Sequence, residues 1–266
     1  MSTVSIDLFR RSKIEGRKIK MVTCYDASMA RIVAGTEVDT VLVGDSVAMV
    51  QHGFDSTIHA TTEMMVLHTA AVARGLGGKK FLVADMPFTT FRKGTAFALD
   101  TAAQLVRAGA HAVKLEGIQG HEDVVKHLVD SGVPVMGHIG LTPQLALALG
   151  GHKVQGRDAE AVEKFCKEAR DLERLGVFSL VLECVPAHLG ARISGELQIP
   201  TIGIGAGVNT DGQVLVFNDM LGMSGSFKPK FLRRFAELEG GIAGALNAYC
   251  RAVDEKSFPS ESESYT

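Results

Sequence analysis

The sequence predicts an α/β protein, a (β/α)₈ TIM barrel, on three observations. Short apolar runs recur eight times between about residues 20 and 221, helical stretches separate most of them, and polar side chains suited to chemistry stand at the ends of the runs. Near-continuous apolar strands suit a parallel sheet buried on both faces, and strand-helix alternation at this length leaves a closed barrel or a doubly wound sheet. Eight units favour the barrel.

In order, the strand-like runs are KMVTCYD (20–26), DTVLVGD (39–45), KFLVADMP (80–87), HAVKLEG (111–117), VPVMGHIG (133–140), SLVLECV (179–185), PTIGIGAG (200–207) and QVLVFNDML (213–221). TTEMMVLHTAAVARG after the second and AFALDTAAQLVRAG after the third repeat apolar residues every three or four positions, as helices do. VNTDG, between the seventh and eighth runs, is too short for a full helix. A last helix is expected from about 229 to 252. The domain expectation is a single barrel over 1–252, then a disordered tail over 253–266 that ends in the Ser- and Glu-rich SFPSESESYT.

The chain has 266 residues, 46% of them hydrophobic and 22% charged, enough for a sizeable core. With 28 basic and 30 acidic side chains and no polybasic block, charge gives no reason to expect a nucleic acid or an anionic membrane as partner. A small molecule fits better. Cys24, Cys166, Cys184 and Cys250 form no C-x-x-C pair and read as free thiols. Neither a signal-type apolar stretch at the start nor a run of roughly 18 apolar residues is visible, so a cytoplasmic location is expected.

Catalytic residues of a parallel barrel gather at the C-terminal ends of its strands. Asp45, Asp85, Lys114, Glu116, His138 and Glu183 all fall late in their runs. Alternation puts Asp45 on a face with Val43 and Val41, Asp85 with Val83 and Phe81, and Glu183 with Val181, so each is expected to point inward. Taken singly, an Asp after a strand is more often a turn residue or a helix cap. Together, Asp45, Asp85 and Glu116 would crowd three carboxylates that cannot all stay ionised without a cation. Oxygen-only ligands suit Mg²⁺ or a similar hard ion, and Lys114 adds a positive charge deeper in the barrel, suited to a substrate carboxylate.

Two long connections, 46–60 and 141–157, crown the same rim and read as lids or binding loops, with Gly150-Gly151 as a hinge. GIGAG (203–207) lacks the helix and distal acid of a dinucleotide site and reads as close backbone packing. Cys184 alternates away from Glu183 and reads as core. His52, His59, His68, His111, His121, His127, His152 and His188 show no ligand pair on strand spacing and read as structural or surface residues.

The segments VLVGDS (41–46), LVADMPF (82–88), VKLEG (113–117), GHIGLTPQ (137–144), GGHKVQGR (150–157), LVLECVP (180–186) and IPTIGIGAG (199–207) resemble the ketopantoate hydroxymethyltransferase family, in order over nearly the whole chain. The resemblance implies a barrel of the phosphoenolpyruvate/pyruvate type in pantothenate synthesis. It also implies transfer of a one-carbon unit from 5,10-methylenetetrahydrofolate to 3-methyl-2-oxobutanoate. Carried over residue by residue, it implies Asp45, Asp85 and Glu116 for Mg²⁺, some through water; Asp45, Ser46, Asp85 and Lys114 for the keto acid; and Glu183 as catalytic base. A homo-oligomer, commonly a decamer, is implied too. Val47-Ala48-Met49 and HATTEMM (59–65) depart from the family pattern, in the loop after the second strand and the helix start that follows. A Mg²⁺-dependent keto-acid lyase or aldolase without folate is the alternative enzyme, and a silent keto-acid-binding protein is the alternative from another class.

Overall fold

Runs of Val, Ile, Leu and Met, too short for helices and bounded by glycine or charged turns, form the strands of a closed sheet. In the computed structural model, which describes residues 4–225 and 228–265, they are β1 (Ile19–Thr23), β2 (Thr40–Val43), β3 (Phe81–Asp85), β4 (Ala112–Lys114), β5 (Val135–Gly140), β6 (Ser179–Glu183), β7 (Thr201–Ile204) and β8 (Gly212–Leu215). Each pairs in parallel with the next and β8 returns to β1, so the barrel closes in sequence order. Around and between the strands run α1 (Asp7–Glu15), α2 (Ala27–Ala34), α3 (Val47–Val50), α4 (Thr62–Leu76), α5 (Thr95–Arg107), α6 (Glu122–Asp130), α7 (Ala159–Leu175) and α8 (Ala187–Glu196). Local chemistry sets their ends: the Asp26 side chain caps α2 by accepting from the Ser28 and Met29 N–H groups, and Gly176 closes α7 in the left-handed conformation.

The barrel interior is filled by Ile19, Met21, Leu42, Phe81, Val83, Ala112, Met136, Val181, Ile202 and Val214. Phe9 of α1 closes the N-terminal end, edge-on to Phe81 at 5.2 Å and to Phe178 at 4.8 Å. Two residues further along, the inward faces turn polar. Phe81 and Val83 lead to Asp85, Ala112 to Lys114, Met136 to His138, and Val181 to Glu183.

Asp45 reaches this end differently from the expectation. Leu42, and not Val41 or Val43, belongs to the interior, and β2 stops at Val43, so the turn at Gly44 delivers Asp45 and strand alternation does not. No helix lies between β7 and β8, as the short VNTDG segment implies. The eighth strand is shorter than expected, ending at Leu215.

The chain divides into two units, Met1–Val216 with the barrel and Phe217–Thr266. The second contains the short helix α9 (Phe217–Met220) and the longer α10 (Leu238–Asp254). α10 starts later than 229 because the N–H groups of Phe235 and Leu238 donate to the carbonyls of Met220 and Leu221, which diverts them from a helical ladder. Beyond α10, Ser260 and Glu263 cap each other's backbone around the turn Glu261–Glu263.

Candidate active site

The β2 tip is built on a glycine. A Cβ at Gly44 would come within 2.8 Å of Ser46 Oγ, so the residue type lets the chain turn tightly and present Asp45 and Ser46 to the rim. The turn is then pinned from the next strand: the Asp45 N–H donates to Asp85 Oδ2 at 3.0 Å. Ser46 Oγ shares a 2.8 Å hydrogen bond with the Tyr25 hydroxyl.

Register brings the next groups together. Asp85 pairs with Lys114 across β3 and β4, and paired residues of parallel strands face the same side. Lys114 Nζ therefore lies 3.0 Å from Asp85 Oδ1, with both side chains at most 5% exposed. The same nitrogen is 3.2 Å from His138 Nδ1 on β5. His138 Nδ1 is 3.5 Å from Glu116 Oε1, and its Nε2 is 3.3 Å from Glu183 Oε2 on β6. Glu183 alone keeps an open side, 17% exposed.

Thus Asp45, Asp85, Lys114, Glu116, His138 and Glu183 form one linked cluster at the C-terminal rim. Ser46 is joined to it through the backbone beside Asp45 and points its hydroxyl at Tyr25.

The cluster is electrostatically loaded. Burial, then the charges of Asp85 and Glu116, push the Asp45 carboxyl well above the ordinary carboxylate range. Burial also raises Asp85, although Lys114 and the Asp45 N–H pull it back. Burial acts to depress Lys114, but Asp85, Glu116 and Asp45 outweigh it and hold the ammonium charged. His138 is opposed by burial and by Lys114, yet its contacts with Glu116 and Glu183 carry it up to about 9. A charged His138 donates from Nδ1 towards Glu116 and cannot also accept there from Lys114. The raised value favours the charged form.

With Glu183 counted, one ammonium and one imidazolium face four carboxylates, which leaves excess negative charge in a largely dry space, where a hard cation is stabilised. All the acidic donors are oxygens, as Mg²⁺ requires. Among the described residues no three acidic, histidine or cysteine side chains close on one point as a direct ligand set, so an ion here would take part of its shell as water, its ordinary habit. On that basis the residues fit.

Sequence reasoning missed Gln144. It lies on the turn Pro143–Leu145 just after β5, and its side-chain nitrogen donates to Asp45 Oδ2 at 2.8 Å and to the Met86 carbonyl at 3.0 Å. Its backbone N–H donates to Glu116 Oε2 at 3.0 Å. No strand or helix period marks such a residue; its place within GHIGLTPQ was the only signal.

Cys184, expected in the core, is half-buried with φ of 47°, at the point where the chain leaves β6 behind Glu183. Of the remaining histidines, His52 and His68 bond each other at 2.9 Å, His68 Nδ1 lies 2.6 Å from the Tyr25 carbonyl oxygen, and His121 is buried. GIGAG is a packing device: a Cβ on Gly207 would strike the Ala187 Cβ at 2.6 Å, and one on Gly203 the Thr210 hydroxyl at 2.7 Å.

The fold is shared with solved structures of low sequence identity. A phosphonopyruvate hydrolase superposes with a TM-score of 0.64 at 10% identity, covering 98% of this chain and 93% of that one. 2,3-Dimethylmalate lyase, of the PEP mutase/isocitrate lyase superfamily, gives 0.61 at 12% identity over 100% of this chain and 90% of that one. The architecture these structures share with this chain is the closed (β/α)₈ barrel.

Sequence comparison narrows this. The family model described as ketopantoate hydroxymethyltransferase matches residues 3–261. Proteins named 3-methyl-2-oxobutanoate hydroxymethyltransferase are 54% identical in Bdellovibrio bacteriovorus and 49% identical in Legionella pneumophila, in each case over 97% of this chain and 98% of the relative. One from Francisella tularensis is 47% identical over 97% of both. The chain belongs to the ketopantoate hydroxymethyltransferase family, and it is an enzyme.

Proposed function

We propose that this barrel transfers a hydroxymethyl group from 5,10-methylenetetrahydrofolate to 3-methyl-2-oxobutanoate, giving 2-dehydropantoate for pantothenate synthesis. The observation that carries the reading is the single buried cluster in which Asp45, Asp85, Glu116 and Lys114 share one rim with the half-open carboxylate of Glu183.

Asp45, Asp85 and Glu116 would hold Mg²⁺, in part through water. Bound there, the ion supplies Lewis-acid polarisation of the keto acid's oxygens, worth several kcal/mol against the cost of breaking its C3–H bond. Asp45, Ser46, Asp85 and Lys114 line the keto acid's place, with the Lys114 ammonium set for its carboxylate. Glu183, on the open side, takes the C3 proton, and His138 at 3.3 Å steadies it. The resulting carbon nucleophile attacks the methylene carbon of the folate, opened as an iminium ion, and water then releases tetrahydrofolate. The loops 46–60 and 141–157, with positive φ at the Gly150-Gly151 hinge, would shield the nucleophile from wasted protonation.

Product identification tests the reading: incubation with 3-methyl-2-oxobutanoate, Mg²⁺ and the methylene-bearing folate should yield 2-dehydropantoate. Turnover of the keto acid without folate would favour a lyase or aldolase.

No described helix is long and apolar enough to cross a membrane. We place the enzyme in the cytoplasm, as a homo-oligomer that family likeness makes a decamer. An exposed apolar stripe on α10, Leu238, Ile242, Leu246, Tyr249 and Val253, supports assembly, and sedimentation velocity would measure it.

A further inference from the structure

Gln144 is only 5% exposed, and its polar atoms are used unevenly. Met86 O can only accept, so the amide nitrogen must face it, and the same nitrogen donates to Asp45 Oδ2. The backbone N–H of Gln144 takes Glu116 Oε2. One residue thereby occupies one oxygen on each of two carboxylates that come from different strands. The remaining polar atom, the side-chain oxygen Oε1, is buried and has no hydrogen-bond partner among the described residues. A buried acceptor left without a donor is costly, so it points to a donor that belongs beside it.

We propose that Gln144 is the positioning residue of the metal site. It commits Asp45 Oδ2 and Glu116 Oε2 to hydrogen bonds, which leaves Asp45 Oδ1 for the ion or its waters, together with the lone pair of Glu116 Oε1 that His138 does not face. Its own Oε1 accepts from a water on the ion. The anchor is the turn after β5, so the base of the 141–157 loop is tied to the tips of β2, β3 and β4. This inference rests on the Mg²⁺ reading above and adds a residue that binds no metal itself.

The test uses Mn²⁺ as a spectroscopic substitute, titrated into the full-length protein and followed by electron paramagnetic resonance. Gln144→Met keeps the volume and removes the side-chain donor to Asp45 and Met86 and the side-chain acceptor, while the backbone N–H to Glu116 stays. Its Mn²⁺ dissociation constant should rise by about 10-fold or more, the usual effect of losing a partner that orients a ligand. The spectrum at saturating Mn²⁺ should also change, because the water shell and carboxylate orientations change; a merely structural residue would leave that spectrum alone. If Gln144→Met does not fold, Gln144→Asn, which keeps the amide but shortens its reach, is read in the same way. A wild-type dissociation constant and spectrum in either folded variant overturns the proposal. Asp85→Ala separates the two readings: if it weakens Mn²⁺ while the Gln144 variants do not, this inference alone fails. If Asp85→Ala also binds normally, the metal reading fails with it.

Discussion

Lys114 and Asp85 are register partners on adjacent strands, and their charged ends meet at 3.0 Å inside the barrel rim. The pair does not stand alone, because Asp45 and Glu116 lean on the same ammonium. Lys114 is thus the internal counter-charge of the cluster.

Replacing it by Lys114→Met should cost stability on the scale of about 3–5 kcal/mol at neutral pH, the usual result of orphaning a buried charge. The sign of the pH dependence follows from the raised Asp45 and Asp85 carboxyls. A group whose folded pKa is raised stabilises fully below its unfolded value and loses that contribution as pH rises. Without Lys114 both carboxyls rise further, so urea unfolding should find the variant's deficit larger at pH 8 than at pH 5. An equal deficit at both would separate Lys114 from the carboxylates.

Cation uptake should release protons. Asp45 and Asp85 hold their protons to higher pH than free carboxylates, chiefly through burial, and a cation needs them ionised. Mg²⁺ affinity should therefore increase with pH. Calorimetric titration in buffers of different ionisation enthalpy should show protons leaving; heats that do not depend on the buffer would contradict the raised carboxyls.

Gly140 packs closely against the backbone of β6 at Glu183. Its φ is 98°, and a Cβ there would lie 2.3 Å from the Glu183 carbonyl oxygen and 2.8 Å from Val185 Cγ1. Gly140→Ala should lose more than about 2 kcal/mol from strain and overlap. It should also lower kcat more than it raises KM, since it displaces Glu183 and leaves the metal-side carboxylates in place. Thermal unfolding and steady-state kinetics check both.

The legible part of the site was the part that strand period controls. Asp85, Lys114, His138 and Glu183 each follow an interior apolar residue by two, and the structure places them where that count puts them. Asp45 reaches the same rim by a route that strand period does not describe, because β2 ends before alternation can reach it and Gly44 makes the turn. Gln144 escaped because a side chain that spans neighbouring strand tips from a loop obeys no period. The start of α10 escaped for a related reason: hydrogen bonds from Phe235 and Leu238 back to Met220 and Leu221 are invisible to a local pattern.

Glu183 faces the open side with His138 at its back, and as the proposed base it should take the proton of the keto acid's C3. The most direct measurement omits the folate: 3-methyl-2-oxobutanoate is held with enzyme and Mg²⁺ in D₂O, and loss of the C3 proton signal is followed by NMR. Exchange should proceed with the wild type, stop when the cation is chelated, and fall by roughly 10²–10⁴-fold in Glu183→Gln while keto-acid binding persists. Exchange in that variant at the wild-type rate, or exchange indifferent to chelation, would contradict a carbon acid activated between this carboxylate and a cation on the opposite strands.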